Sequence, residues 1–527
     1  MKDRVSLTDF LMYHKETHPI SFHMPGHKGR STLYGIYGFG DFVKNVVGND
    51  ITEIPGADAL QQPRERIKDI MEGYAGLYGA KHTELLVNGS SAGLMASILG
   101  SVPRGGKLLM GRNSHKSVYG ALRLGGIDPV YIMPEIDGET GLQLGLDPDK
   151  IEAALIEDGD IKAVLVTSPN YYGVLSDIER IASIVHLHGR ILIVDQAHGA
   201  HLKFFDYLRS EDGLPHRAAE NCGADIVVDS AHKTLLSFTG SAILNICTER
   251  PDVSRISEFL RMLQTTSPSY LLMGSLDINQ QILRMDGYNL IKNWDADIKY
   301  FYEEAAQIAG LGLIDRIDLD ETKVSITMSA LGLSGPELAE ELEKRNIWVE
   351  LTHGDYVMLM TGIGNERGDY EDVLSALRDL SAHHGGRIQD VESESTTSKT
   401  ESAAQNVAHK QAKNEAQAAN KNASQPVDKI AELRTPSSDS ALIERLEQRK
   451  IPDTYEEIPL YSAEGRVLYE SIIPYPPGTP IACPGEVLSK SVILYVRDQL
   501  VAQHVVLGVD EEGRVKVESD CVLFKEI

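Results

Sequence analysis

Seven short apolar runs alternate with amphipathic segments between residues 84 and 246, and this alternation constrains the fold more than any other feature of the chain. The apolar runs, in order, are ELLV, KLLMG, PVYIM, KAVLVTSP, RILIVD, ADIVVDS and SAILNI. The segments between them, such as SVYGALRLGG and DIERIASIVHLHG, have the periodicity of amphipathic helices. Continuous apolar strands separated by helices are typical of β-α-β units, in which helices cover both faces of a mainly parallel sheet. The sequence therefore predicts an α/β fold.

Polar residues follow several of these strands, at the sheet edge where the ligands of α/β proteins bind. The run ELLV is followed by NGSSAG and then by a helical segment. The hydroxyl groups of Ser90 and Ser91, the glycines and the free N–H groups of a helix N-terminus together suit a phosphate group. The simpler interpretation is that a serine only caps the helix.

Three further side chains follow later strands, and each has two interpretations. His115 could stack on a flat ring or only hydrogen-bond a backbone carbonyl, and Asp195 could pair with a protonated ring nitrogen or cap the next helix. Lys233, in the stretch DSAHKT, could be a solvated loop lysine or a buried amine that holds a carbonyl compound as a Schiff base. Pyridoxal phosphate needs a phosphate site, a stacking group, an acid beside its ring nitrogen and a Schiff-base lysine. The occurrence of all four on one sheet favours this cofactor.

Charge and composition exclude other classes of protein. The chain has 527 residues, 42% hydrophobic content and a formal net charge of -26 at pH 7. A strongly acidic protein repels nucleic acids and anionic membranes, so we expect neither as a partner. The N-terminus lacks the apolar core of a signal peptide, and no stretch reaches the roughly 18 apolar residues of a membrane span. The four cysteines are widely spaced without a C-x-x-C pair, which favours a reducing, cytoplasmic location.

Several longer motifs resemble those of the ornithine/lysine/arginine decarboxylases, in particular the shorter Gram-positive type without the N-terminal wing domain. The matching stretches are FHMPGHKG (22–29), DITEIPGADAL (50–60), VNGSSAG (87–93), RNSHKS (112–117), SPNYYG (168–173), VDQAHGAH (194–201), DSAHKT (229–234), QTTSPSYLLMGSLD (264–277) and YPPGTPIACPGE (475–486). The resemblance implies the aspartate-aminotransferase fold, which is pyridoxal phosphate (PLP) fold type I. This fold has a mainly parallel sheet flanked by helices, here with a small α/β domain and a C-terminal α+β domain.

The resemblance also implies roles for individual residues. The residues implied to act in catalysis are Lys233, His115, Asp195 and His198. Those implied to bind the cofactor are Ser90, Ser91, Ala92, His115, Asp195, Ala197, Ser230, His232 and Lys233, with Thr265 and Thr266 reaching the phosphate in the other subunit. The active site would therefore lie at the interface of a homodimer. We expect no metal, because HGAH provides His198 and His201 without a further ligand.

The implied reaction is the PLP-dependent decarboxylation of a basic L-amino acid to the corresponding amine and CO2. Arginine and lysine are favoured, and ornithine is an alternative. The physiological role is either polyamine biosynthesis or acid resistance, and the sequence does not distinguish between them. Glu486, in the PGE stretch, is the candidate ligand for the distal cation of the substrate, and acidic residues near DITE are secondary candidates. The alternative for Glu486 is a turn glutamate that does not contact the substrate.

Departures from the family pattern keep other classes of function open. Gln196 stands where many relatives have glutamate, Gly240 stands where glutamine is common, and GADAL lacks the second of two adjacent acids. One alternative is another PLP enzyme of fold type I, such as an aminotransferase or an aldolase. The other is a non-catalytic PLP-binding partner subunit.

Composition and pattern divide the chain into five predicted segments. They are an N-terminal segment (1–60), a large PLP-binding domain (61–280), a small α/β domain (281–388), a low-complexity linker (389–440) and a C-terminal decarboxylase domain (441–527). Residues 390–428 of the linker are rich in Ser, Ala, Gln, Asn and Lys and have almost no large apolar side chains, so we expect them to form no core.

Overall fold

The computed structural model describes residues 6–384, 446–475, 478–501 and 504–519. The α-helices, in chain order, are α1 Leu7–Glu16, α2 Ser31–Ile36, α3 Gly40–Lys44, α4 Val46–Asn49, α5 Arg66–Tyr78, α6 Gly89–Ser101, α7 Lys116–Gly125, α8 Pro148–Glu157, α9 Ile178–Leu187, α10 Leu202–Glu211, α11 Ala231–Thr234, α12 Val253–Leu263, α13 Tyr270–Ala305, α14 Gly335–Glu343 and α15 Lys490–Val501. The strands are β1 Ile20–Phe22, β2 His82–Leu86, β3 Lys107–Gly111, β4 Asp128–Ile132, β5 Ile161–Thr167, β6 Ile191–Asp195, β7 Ile226–Asp229, β8 Ala242–Ile246, β9 Gly312–Leu313, β10 Lys323–Thr327, β11 Ile347–Val349, β12 Leu351–His353, β13 Tyr356–Met360, β14 Tyr455–Pro459, β15 Ile473–Tyr475, β16 Val505–Leu507 and β17 Arg514–Glu518.

A seven-stranded sheet forms the centre of the molecule, in the order β2-β8-β7-β6-β5-β3-β4. Neighbouring strands are parallel except at β8, which is antiparallel to both β2 and β7. Each of the seven apolar runs forms one of these strands. The prediction of a mainly parallel α/β sheet is confirmed.

Helices cover both faces of this sheet, because the strands are apolar on both sides. On one face, Leu94 of α6, Val118 of α7 and Ile256 of α12 pack in one core cluster. On the other face, Ile151 of α8 and Ile181 of α9 pack in a second cluster. The carboxyl ends of the parallel strands therefore remain open to the loops that follow them.

A smaller four-stranded antiparallel sheet, in the order β12-β13-β10-β9, lies beside α14. The short strand β1 pairs in parallel with β11, so the N-terminal segment joins this smaller unit. The long helix α13 packs against α5 and α10 of the large unit, and its backbone departs from helical geometry at Asp286.

The C-terminal unit is built from β14 paired with β17, β15 paired with β16, and α15. Its own apolar core includes Leu468, Val492 and Val517. The five predicted segment boundaries stay predictions, and the linker predicted at 389–440 lies outside the described residues. None of the described helices is both long enough and apolar enough to cross a membrane.

Candidate active site

The loops after β2, β3, β5, β6 and β7 meet at the carboxyl edge of the sheet and surround a cavity of about 580 Å³. Parallel strands bring their carboxyl ends to one edge, so residues distant in sequence converge there. The predicted site residues that line the cavity are Ser90, Ser91, His115, Asp195, Ala197, His198, Ser230, His232 and Lys233.

Lys233 lies in the short helix α11, which follows the buried strand β7. Its Nζ lies 2.9 Å from Nε2 of His198. Burial lowers the pKa of Lys233 to about 8, although the negative charges of Asp195 and Glu350 oppose this shift. With this pKa, about a tenth of the molecules carry the neutral, nucleophilic amine at pH 7, far more than for an ordinary lysine.

Asp195 ends β6 and is only 3% exposed. Its Oδ1 accepts a hydrogen bond from the backbone N–H of Ala197, at 3.2 Å. Burial raises the pKa of Asp195, while the positive charge of Lys233 lowers it. Within the described residues, this carboxylate has no direct ion pair with a cationic side chain, so the cavity can accommodate a cation beside it.

Three histidines of the cavity are held in the neutral form. Nδ1 of His115 accepts the backbone N–H of Ser117 at 3.2 Å, so its proton resides on Nε2. Nδ1 of His232 donates to the carbonyl of Ser241 at 2.7 Å, which leaves its Nε2 as an acceptor. Burial lowers the pKa of His115 and of His232 to about 4 and that of His198 well below its ordinary value.

The serine loop after β2 has the geometry expected of a phosphate site. Gly89 and Ser90 begin α6, and Ser230 Oγ donates to Ser90 Oγ at 2.9 Å. The backbone N–H of Gly89 donates to the carbonyl of Gly240 at 2.8 Å. Gly240 has φ +94°, a conformation that favours glycine over the glutamine common in relatives.

Glu350 also lines the cavity, although the sequence analysis did not identify it. It directly follows β11 of the smaller unit, and its Oε2 accepts the backbone N–H of Met24 at 2.9 Å. Its Oε1 accepts the hydroxyl of Tyr171 at 3.3 Å. Tyr171 belongs to the motif SPNYYG, and its ring packs edge-on against His198 at 4.8 Å. The only signal in the sequence was a single acid in the stretch IWVELT.

The C-terminal unit also contributes to the cavity, through Thr479. The backbone N–H of Lys116, at the start of α7, donates to the carbonyl of Gly478 at 3.2 Å. Gly478 of the C-terminal unit is thereby held against the loop that carries His115.

Four predicted residues lie away from the cavity. Ala92 is buried one residue beyond Ser91 in α6, while Thr265 and Thr266 are exposed at the surface of this subunit. Glu486 is buried, and its carboxylate pairs with the guanidinium of Arg112 at 2.8 Å. Arg112 therefore already neutralises the charge of Glu486, and the predicted role of Glu486 in substrate binding stays a prediction. The segment DITE, residues 50–53, is exposed and does not line the cavity.

Models of two domain families match this chain. The model of the Orn/Lys/Arg decarboxylase major domain matches residues 5–311, which are more than half of the chain. The chain belongs to the Orn/Lys/Arg decarboxylase family. The model of the C-terminal domain of the same family matches residues 439–508.

Individual relatives agree with the family match. The arginine decarboxylase of Bacillus anthracis is 30% identical over 513 residues, which cover 95% of this chain and 94% of the relative. The arginine decarboxylase of Bacillus subtilis (strain 168) is 30% identical over 511 residues, with 95% and 94% covered. The solved structure of the constitutive lysine decarboxylase of E. coli aligns with a TM-score of 0.67 at 20% identity and covers 93% of this chain and 77% of that one. The structural similarity to this lysine decarboxylase confirms the predicted fold type.

Membership of this family makes the protein a lyase that decarboxylates a basic amino acid with PLP as its cofactor. The predictions of family, enzyme class and cofactor are confirmed. The aminotransferase, aldolase and partner-subunit alternatives are not favoured. The cavity fits this cofactor, because it combines an amine with a lowered pKa, a buried carboxylate that has no cationic side chain bound to it, and a helix N-terminus with two serines.

Proposed function

We propose that this protein decarboxylates L-arginine and that the cavity at the carboxyl edge of the sheet is its active site. The observation that carries the proposal is the placement of the Lys233 amine, the buried Asp195 carboxylate and the Glu350 carboxylate around one cavity. Arginine is favoured over lysine and ornithine because the arginine decarboxylases of two Bacillus species are 30% identical over nearly the whole chain.

Each part of the cofactor has a matching group in this cavity. Lys233 would bind the carbonyl carbon through Nζ, and Asp195 would hold the proton of the ring nitrogen. Ser90, Ser91 and Ser230 would bind the phosphate, together with the free N–H groups of α6. The ring of His115, held by its bond to Ser117, would lie against the ring of the cofactor.

The side chains of the cavity would place charges around the bound cofactor and transfer a proton to the substrate. Bound PLP provides an electron sink for the electron pair that remains on Cα when CO2 leaves. Asp195, whose carboxylate is fixed in a buried position, would stabilise a positive charge on the ring nitrogen of the bound cofactor. His198 and Lys233, whose nitrogens lie 2.9 Å apart, are the groups that can hold and deliver the proton to Cα.

Glu350 is the proposed ligand for the distal cation of the substrate. It is the carboxylate that lines the cavity besides Asp195, and Met24 and Tyr171 hold its two oxygens in place. A carboxylate fixed at both oxygens presents its remaining lone pairs in defined directions, which suits the planar guanidinium group of arginine.

A homodimer is the proposed active assembly. The helix α1 contains no buried residue and exposes Phe10, Leu11 and Met12, and Val47 is 90% exposed. Apolar surface of this extent on the N-terminal segment suits contact with a second copy of the chain. Thr265 and Thr266 are exposed beside Gln61, whose amide donates to the backbone carbonyl of Thr265 at 3.2 Å, and we propose that they contact the phosphate site of the partner subunit.

We also propose a cytoplasmic location and a role in polyamine biosynthesis. The described cysteines Cys222, Cys247 and Cys483 are free thiols, which suits a reducing compartment. The amine formed from a basic amino acid carries its distal cation unchanged, as polyamine precursors do.

Release of CO2 tests the proposed activity. The purified protein, loaded with PLP, is given arginine, lysine or ornithine separately. We expect release from arginine, its loss in Lys233→Ala, and full activity in the control Lys292→Ala, because Lys292 is exposed on α13. Release from lysine or ornithine alone would replace the proposed substrate, and no release from any of the three would refute the proposed function.

A further inference from the structure

Behind His198 lies a cluster of four buried polar side chains that the proposed reaction does not use. His201 comes from the large unit, and Asp320, Thr322 and Lys323 come from the start of β10 and the loop before it. Nε2 of His201 lies 3.1 Å from Oδ1 of Asp320, and Nζ of Lys323 lies 3.3 Å from Oδ2 of the same carboxylate. The side chains of His201, Asp320 and Lys323 are at most 1% exposed.

Lys323 reaches from this cluster to the active site. Its Nζ donates to the backbone carbonyl of His198 at 3.2 Å, in addition to Asp320 and the hydroxyl of Thr322. The backbone of Gly173 packs against its stem, where a Cβ on Gly173 would lie 2.8 Å from Cβ of Lys323. The side chain of Lys323 is therefore fixed at both ends, by packing and by three acceptors.

The imidazole of His198 has few side-chain restraints of its own. Its Nε2 faces Lys233, its ring packs edge-on against Tyr171, and its Nδ1 has no hydrogen-bond partner within the described residues. The position of the backbone at residue 198 therefore contributes to where the ring lies. Lys323 is the side chain that holds this backbone carbonyl from the smaller unit.

We propose that Lys323 is a positioning residue that acts through His198 and sets the distance between its ring and the Lys233 amine. The inference rests on the proposed function, since it concerns the same site. It also links the smaller unit to the chemistry, because β10 carries Lys323 while His198 and Lys233 belong to the large unit.

The positive charge of Lys323 also affects the protonation of the active-site amine, Lys233. The charged and titratable groups around the Lys233 amine are Asp195, Glu350, Lys323 and the three histidines His115, His198 and His232. The positive charge of Lys323 adds to burial in lowering the pKa of Lys233, and it also lowers the pKa of His198. Loss of this charge should therefore raise the pH at which Lys233 loses its proton.

The variant Lys323→Met removes both the charge and the hydrogen bond to His198. We expect kcat for arginine to fall at least tenfold with little change in KM. The visible absorption band of the PLP-loaded protein reports the protonation of the Lys233 nitrogen bonded to the cofactor, and loss of the nearby positive charge should raise the midpoint of its pH titration by about half a unit or more. Lys323→Gln, which removes the charge and keeps a donor, should raise the midpoint as well while retaining more of kcat. It replaces Lys323→Met if that variant does not fold.

The matched control is Arg217→Met. Arg217 joins the same two units, since its guanidinium pairs with Glu321 and donates to the carbonyl of Ile317 at 3.0 Å, but it does not contact His198. We expect this variant to lower the thermal midpoint of unfolding while kcat stays within twofold and the titration midpoint is unchanged. Equal effects of Lys323→Met and Arg217→Met on kcat and on the titration would overturn the proposal.

A double-mutant comparison tests whether Lys323 acts through His198. In a His198→Ala background, Lys323→Met should lower kcat by less than twofold, when kcat is measured about a pH unit below the titration midpoints of both proteins so that the direct effect of the Lys323 charge on Lys233 does not change its protonation. Full additivity of the two substitutions would overturn the proposal. Failure of the proposed function is distinguishable, because it would leave the visible band and its titration intact while no CO2 is released.

Discussion

Arg112 and Glu486 form an ion pair of 2.8 Å in which the two side chains are only 4% and 3% exposed. Arg112 follows β3 of the large unit, and Glu486 belongs to the C-terminal unit. The guanidinium also donates to the carbonyls of Pro480 at 2.8 Å and Ile481 at 3.3 Å, and the backbone N–H of Cys483 donates to the carboxylate at 2.7 Å. The pair therefore fixes the C-terminal unit to the central sheet.

Removal of the charge on Glu486 should destabilise the protein without affecting recognition of the substrate. Glu486→Gln leaves the buried guanidinium of Arg112 without a counter-ion, which costs about 3–5 kcal/mol. Urea unfolding measures this loss. The control Glu470→Gln removes a more exposed pair with Lys516 and should cost about 0–1 kcal/mol. A higher KM for arginine with unchanged stability would instead support the predicted role of Glu486 as a substrate ligand.

Loss of the charge on Glu350 should weaken substrate binding. A hydrogen bond to a charged group contributes about 1.5–3 kcal/mol, so we expect Glu350→Gln to raise KM for arginine roughly 10- to 100-fold. Steady-state kinetics measure the effect. Glu249→Gln, at an exposed site, should leave KM unchanged. A lower kcat at unchanged KM would show that Glu350 does not bind the substrate.

The buried amine of Lys28 should make the stability of the cofactor-free protein depend on pH. Its Nζ donates to the carbonyl of Met360 at 2.9 Å, and burial lowers its pKa from 10.5 to about 7. Between pH 7 and 10.5 the unfolded chain binds this proton and the folded protein does not, so the free energy of unfolding rises with pH in this window. A full proton difference gives a slope of about 1.4 kcal/mol per pH unit.

The substitution Lys28→Met removes this slope. Urea unfolding between pH 7 and pH 9 measures how the free energy of unfolding changes with pH. In Lys28→Met this slope should be smaller than in the wild type by the contribution of about one proton. Lys68→Met, at an exposed position of α5, should keep the slope of the wild type. Identical slopes in Lys28→Met and the wild type would contradict the assignment.

The substitution Gln196→Glu should produce a protein that is unstable at high pH. The Gln196 amide donates to Glu220 at 3.0 Å and to Asp229 at 2.9 Å. Burial and then Glu220 already raise the pKa of Asp229 well above its ordinary value. A third carboxylate adds repulsion, so we expect a loss of about 3 kcal/mol at pH 8.

The pH dependence of this loss has a defined sign. A carboxyl group with a raised pKa in the folded protein keeps a proton that the unfolded chain releases, so stability falls as pH rises. Gln196→Glu should therefore recover stability as the pH is lowered from 8 to 6. Gln307→Glu, at an exposed position, should show neither the loss nor the recovery.

The central sheet could be predicted because its strands are buried on both faces and therefore leave continuous apolar runs in the sequence. Lys233, Asp195 and His115 could be predicted as site residues because each of them ends or follows a strand. The carboxyl ends of parallel strands meet at one edge of the sheet. Glu350 could not be predicted in this way. It reaches the cavity from β11, and nothing in the sequence shows that β11 pairs with β1.

The remaining differences between prediction and structure come from contacts with residues that are far away in the sequence. Glu486 looked available for a substrate cation, but its partner Arg112 lies 374 residues away in the sequence. Gln196 looked like a departure from the family, yet its amide is the donor that two neighbouring carboxylates require. In each case the side chain's role depends on a contact that local sequence pattern does not encode.

The cavity wall at Thr479 belongs to a different stretch of the chain from the loops that surround Lys233. Substitutions there can change this wall without replacing any residue in the loops of the catalytic sheet. Selection can therefore remodel this wall while bond cleavage is conserved. Exchange of the whole C-terminal segment between relatives is accordingly a route to new catalysts, provided that the exchanged segment brings its own partner for Arg112.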